Sequence, residues 1–248
     1  MVAEKTAIIS GLKRDILRLQ GFADNSSGGR YGGQKILEDI FPDSSLPLGA
    51  IHEFISDDIE STAATSGFIS GVIGSLMGSH GTIVWISSSR TIFPAALTEF
   101  GIQPERCVFI DLKKEKDVLW ALDESLKCDA LTAVIGEVKT LDFNASRRLQ
   151  LAVEQSKVTG FVIRHQPRQL NTTACVSRWR ITHLPSDPID KLPGIGFQQW
   201  KAELLRVRNG KPGVWNVRWM KEDINGSALQ VTKDLSPVDI KNLHVKAG

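Results

Sequence analysis

The sequence predicts an α/β fold: a mostly parallel sheet flanked by helices, ending in a C-terminal antiparallel hairpin. Three observations carry this. First, near-continuous apolar, β-branched runs begin at residues 82, 107, 131 and 160 (TIVWIS, CVFIDL, LTAVIGEV, GFVIRH) and alternate with helical patterns, as strands buried on both faces do. Second, IHEFISDDIESTAATSGF, from residue 51, reads as a strand, a loop and a small-residue helix starting near Ser61. Third, residues 199–222 hold two alternating runs around Asn209-Gly210-Lys211-Pro212-Gly213, a hairpin signal with a five-residue loop.

Taken in order, residues 3–20 fit an amphipathic helix, with Ile8, Ile9, Leu12, Ile16 and Leu19 three or four apart and Gly21 as a stop. Residues 21–34 are rich in Gly and Ser and read as a linker. A core over 35–222 opens with LPLGAIHEF, its first strand. Pro94 to Phe100 is a helical pattern ended by Gly101. Asp117 to Leu126 repeats Val118, Leu119 and Leu122. Asn144 can cap a helix whose apolar face includes Leu149, Leu151, Ala152 and Val153. SRWRITHL, 177–184, alternates as a strand. Residues 223–248 have no aromatic and a weak pattern, and read as an extended tail.

Composition bounds the function. The chain has 248 residues, 42% hydrophobic, with a mean hydropathy of -0.09, which suits one large α/β domain with appendages. No run reaches the roughly 18 apolar residues of a membrane helix, and the charged N-terminus lacks a signal-peptide core. A cytoplasmic protein without membrane partners is expected. Cys107, Cys128 and Cys175 are scattered and form no CxxC, so neither a disulfide framework nor a zinc site is expected. Charge is segregated: residues 147–221 hold 14 Lys and Arg against 4 Asp and Glu. One basic region on an otherwise acidic chain points to an anionic partner, with nucleic acid the first candidate.

LPLGAIHEF, the helix that follows it, GTIVWISSSRTIFPAALTEFGIQPERCVFIDL, AVIGEV, SRRLQLAVEQSKVTGFVIRH, SRWRITHLPS and AELLRVRNGKPGVWNVRW together resemble the ImuA (inducible mutagenesis protein A) family over roughly residues 35–222. The resemblance implies a RecA-like core. It also implies a non-enzymatic accessory role in the bacterial SOS response to DNA damage, supporting error-prone translesion synthesis. The partners it implies are a Y-family polymerase-like protein and an error-prone replicative-type DNA polymerase, with a RecA-type recombinase and DNA as further candidates.

A RecA-like phosphate loop needs glycines whose N–H groups cradle phosphate, a lysine, and a Ser/Thr hydroxyl for magnesium. Laid on that pattern, the first glycine position is Ser56, the lysine position is Thr62 and the hydroxyl position is Ala63. Asp57, Asp58 and Glu60 would face the phosphates and repel them. No nucleotide, metal or other cofactor is expected, and no catalytic residue. The acidic residue of the third apolar run is displaced to Glu137, with no histidine or second carboxylate placed beside it by spacing.

Nucleic-acid contact has its own candidates. Alternation puts Arg206 and Arg208 on one face of a strand, Lys211 at the turn and Arg218 on the return strand. Arg178 and Arg180 flank Trp179, and Arg164 and Arg168 border the connection after the fourth run. Basic and aromatic residues on adjacent strands can follow a phosphate backbone and stack on bases. The same pattern also reads as core on one side, with Trp215, Val217 and Trp219 sharing a face, and solvated arginines on the other. Two alternatives stand beside the accessory reading: a regulatory decoy of RecA-like fold, such as a cell-division inhibitor, and an active RecA-like ATPase. Both chain ends are expected to carry protein–protein contacts.

Overall fold

The computed structural model describes residues 46–77, 81–187, 196–208, 210–222 and 226–235. The expected N-terminal helix over 3–20 and linker over 21–34 lie outside the described residues, as does the tail beyond 235.

The apolar runs become strands β1 (Ile51–Ser56), β2 (Ile83–Ser87), β3 (Cys107–Asp111), β4 (Ala133–Val138) and β5 (Thr159–His165). Behind them come β6 (Ser177–Asp187), β7 (Phe197–Val207), β8 (Gly213–Glu222) and β9 (Gly226–Leu235). Among the described residues they form one sheet in the order β3-β2-β4-β5-β1-β6-β7-β8-β9. Pairing is parallel from β3 through to β6 and antiparallel from β6 to β9. β1, β2 and β4 are buried at every position. That is why they read as continuous apolar runs, whereas β7 alternates.

Helix α1 (Ile59–Leu76) covers one face, and helices α2 (Glu115–Ser125) and α3 (Phe143–Ser156) cover the other. The α1 face gathers Phe54, Phe68, Trp85, Phe161, Trp179, Trp200, Trp215 and Trp219. The α2/α3 face packs Ile51, Val84, Val118, Leu122, Val134, Leu149, Val153 and Val162. α1 reaches across to β6 and β9, while the main contacts of α2 and α3 are with β1, β2, β4 and β5.

The small residues of α1 have a packing reason. A Cβ at Gly71 would stand 3.1 Å from the Trp219 ring, and one at Gly74 would collide with the Phe100 carbonyl oxygen. Glycine there lets the hairpin tryptophans and the 3-10 turn Pro94–Phe100 come down onto the helix. The Trp219 indole then donates to Glu99 O at 2.9 Å.

Three boundaries differ from the sequence reading. α1 begins at Ile59 because Asp58 caps it in a reciprocal capping box with Ser61. α3 is capped by Asp142, which accepts from Ala145 N, and not by Asn144. Residues 226–235, read as part of a tail, are β9. β8 pairs with them from Gly226 to Leu235, with one irregularity at Thr232, and Leu229 drops into the α1 face at 2% exposure. One apolar anchor with an edge to pair against is enough to order a weakly patterned segment.

Candidate functional site

The C-terminal ends of parallel strands, next to a helix N-terminus, are where open α/β sheets take ligands. Here that crevice is crossed by internal hydrogen bonds. Ser56 Oγ and Thr62 Oγ1, the first-glycine and lysine positions of the loop, lie 2.6 Å apart. Thr62 Oγ1 donates to Asp58 O at 2.8 Å, as does Ser61 Oγ at 3.0 Å. Asp58 Oδ1 takes Ser61 N at 2.7 Å, and Ser61 Oγ takes Asp58 N at 2.9 Å. Hydrogen bonds from the Ser61 backbone and hydroxyl hold the Asp58 carboxyl below the usual carboxylate range. The protein's own carboxylate thus occupies a position at the helix N-terminus that a phosphate would use. Asp57 and Glu60 are exposed, and so is Ala63. Asp57 pairs with Arg180 at 3.0 Å.

A second layer lies beneath. Glu137, at the end of β4, is 5% exposed. Its Oε1 accepts from the Trp85 indole at 2.6 Å, and its Oε2 meets His165 Nε2 at 2.9 Å. His165 Nδ1 is 3.3 Å from Thr62 Oγ1. The chain Trp85–Glu137–His165–Thr62–Ser56 therefore ties β2, β4, β5, α1 and β1 together. The sequence reading placed no histidine beside Glu137. Register supplies one: Glu137 pairs with Ile163, and His165 is the next residue on the same face.

On the opposite face, arginines gather around the connection 166–176. Glu53, fully buried in β1, accepts from Arg164 Nη1 and Arg178 Nε, both at 2.7 Å, and from Thr173 Oγ1 at 2.9 Å. The remaining donors hold the connection by its carbonyls: Arg164 takes Gln169 O, Arg178 takes Asn171 O, Arg206 takes Thr173 O and Cys175 O, and Arg208 takes Ala174 O. Burial at 3% and 9% takes Arg164 and Arg178 off the surface, which corrects the expectation that they face nucleic acid. Charge that reads as a surface stripe in the sequence is, for these two, internal and paired.

The other candidates separate. Arg168 is exposed on the connection, and Arg208 is exposed at the end of β7. Arg206 is half-buried, and Lys211 stands exposed at the hairpin turn. Arg218 lies 6.0 Å over the Phe197 ring. Trp215, Val217 and Trp219 are buried against α1, the core reading of the hairpin. His52, of the LG…HE signature, is buried between Ser177 Oγ at 2.7 Å and Pro47 O at 2.8 Å. Gly49 N donates to Thr159 Oγ1 at 3.0 Å. The signature residues Gly49, His52 and Glu53 thus fasten the first strand into the sheet. Burial pushes the Cys107 and Cys175 thiols up to about 12, far from nucleophilic poise.

No family model matches the chain. Among solved structures, SulA from Pseudomonas aeruginosa aligns with a TM-score of 0.40 and 16% identity, over 46% of this chain and 97% of that one. Among curated proteins, Protein ImuA of Caulobacter vibrioides, in strains NA1000 / CB15N and ATCC 19089 / CIP 103742 / CB 15, is 31% identical over 220 residues, 84% of this chain and 90% of that protein. Identity at that level along nearly the whole of both chains makes this protein a member of the ImuA family.

Proposed function

We propose that this chain is a non-enzymatic accessory protein of the DNA-damage response, which supports error-prone translesion synthesis by binding a Y-family polymerase-like partner. Family membership supports a role in DNA-damage-induced mutagenesis. The observation that carries the non-enzymatic part is the closed crevice. Thr62 stands at the lysine position, bonded to Ser56, and Asp58 takes the helix-end donor. Without cradle glycines or a lysine the loop has nothing to neutralise a triphosphate. On this reading the RecA-like sheet is a scaffold, and the degenerate loop closes its top. The error-prone replicative-type polymerase, a recombinase and DNA are further partners, with protein contacts carried by the chain ends. The candidates at or near the surface, Arg168, Arg180, Arg206, Arg208, Lys211 and Arg218, are the DNA contacts. Among the described residues no helix is long and apolar enough to cross a membrane.

Two measurements test the proposal together. Affinity capture on the immobilised full chain, from cells with and without DNA damage, should retain a Y-family polymerase-like protein. Calorimetric titration with Mg-ATP should give no heat of binding. Micromolar ATP affinity, or failure to retain such a polymerase from damaged cells, would overturn it.

A further inference from the structure

The antiparallel end of the sheet has two unlike faces. Trp179, Trp200, Trp215 and Trp219 turn toward α1. Their neighbours in sequence turn the other way, beyond the main contacts of α2 and α3. On that outer face the register sets three cations on a diagonal, one per strand. Arg180 of β6 is opposite Glu203, and Lys201 is the next outward residue along β7. Lys201 is opposite Asn216, and Arg218 is the next outward residue along β8, opposite Gln199. Diagonal neighbours of this kind stand about 7 to 8 Å apart. The line continues toward Phe197, whose ring lies under the Arg218 guanidinium. Arg206 and Arg208 flank it at the connection.

We propose that this outer face binds single-stranded nucleic acid, with the phosphodiester backbone running along the Arg180–Lys201–Arg218 diagonal. The inference rests on the DNA-damage reading above and centres its nucleic-acid contact on the sheet face. Among the side chains described on this face are five cations, Arg180, Lys201, Arg206, Arg208 and Arg218, and the acidic Asp57 and Glu203. The pairs Arg180–Asp57 and Lys201–Glu203 are partly exposed, at 34%/55% and 37%/14%. Pairs of that kind are weak and are readily exchanged for a phosphate. The polar side chains between the cations, Thr182, Gln199 and Asn216, can bond to bases or sugars, and Phe197 offers a ring to stack on. Among the described residues no helix or arm projects from this face to enter a duplex groove, and the diagonal spans only three strands, so an extended single strand fits it better than a duplex.

The test is fluorescence anisotropy of the full chain with labelled oligothymidylate of about 20 nucleotides, titrated from about 50 mM salt upward. Wild type should bind with an affinity that falls as salt rises. The Arg180→Gln/Lys201→Gln double variant should bind at least about tenfold more weakly at the lowest salt. Its log–log salt slope should be shallower by about 1.4, at 0.7 per lost single-strand phosphate contact. Lys113→Gln, in the exposed loop after β3 at the other end of the sheet, should bind as wild type does. Circular dichroism and the thermal midpoint establish that the double variant folds. Absence of wild-type binding, an unchanged double variant, an equal loss in Lys113→Gln, or tighter binding of a matched duplex would each overturn the assignment. Capture of the polymerase-like partner by the same double variant separates the two readings. If capture persists while the oligonucleotide assignment fails, only the surface is wrong.

Discussion

Replacing Glu53 by glutamine should be among the most damaging conservative changes available in this chain. The carboxylate is fully buried and compensates two guanidinium groups that are themselves 3% and 9% exposed, each bonded at 2.7 Å. Two unit charges about 4 Å apart attract by about 4 kcal/mol at an effective dielectric constant of about 20, so glutamine forfeits two such attractions while keeping the shape. Leaving a buried charge without its partner costs about 3 to 5 kcal/mol in measured cases, against a total stability of about 5 to 15 kcal/mol. Urea denaturation followed by tryptophan fluorescence reads this directly, since Trp179 lies next to Arg178 in β6. With a slope near 3 kcal/mol per molar, the midpoint should fall by roughly 1 to 2 M. The connection 166–176 should also loosen, because Arg164 and Arg178 hold its carbonyls. Faster tryptic cleavage after exposed Arg168 in native buffer would report it. A midpoint shift below about 0.5 M, with Arg168 still protected, would mean that the two arginines find other partners and that the glutamate is not their anchor.

Burial pushes the His52 imidazole down to about 4 from 6.5, more than its bond to Pro47 O raises it. Between those values the unfolded chain binds the extra proton, so stability should be highest above pH 6.5 and fall by roughly 3 kcal/mol on acidification toward pH 4. His52→Gln should lose that part of the pH slope in urea titrations run across this range. Gly74→Ala forces a methyl into the Phe100 carbonyl. The overpacking, about 1 to 3 kcal/mol, outweighs the helix-propensity gain of about 1. Calorimetry should show a melting temperature lower by several degrees, at about 2 to 4 °C per kcal/mol.

What the sequence by itself determined is local. The strand and helix alternation between residues 51 and 165 follows from period and apolar continuity, properties of short windows. The hairpin follows from its turn residues and from the alternation that puts Trp215, Val217 and Trp219 on one side. That residues 56–63 hold no lysine and no glycine is likewise legible without coordinates. The tertiary structure decided everything that depends on which strand lies beside which. Arg164 and Arg178 look like surface charge because their partner, Glu53, is 111 and 125 residues away, and only the β5-β1-β6 order makes the three neighbours. Glu137 and His165 meet for the same reason, one register step apart on β4 and β5. β9 exists because β8 presents an edge and α1 a place for Leu229, neither of which is written in residues 226–235 themselves. The cation diagonal needs two antiparallel registers at once. A side chain's pattern along the chain tells which face it takes. Its charge becomes a site, a buried anchor or solvated surface only when the sheet order supplies the groups across from it.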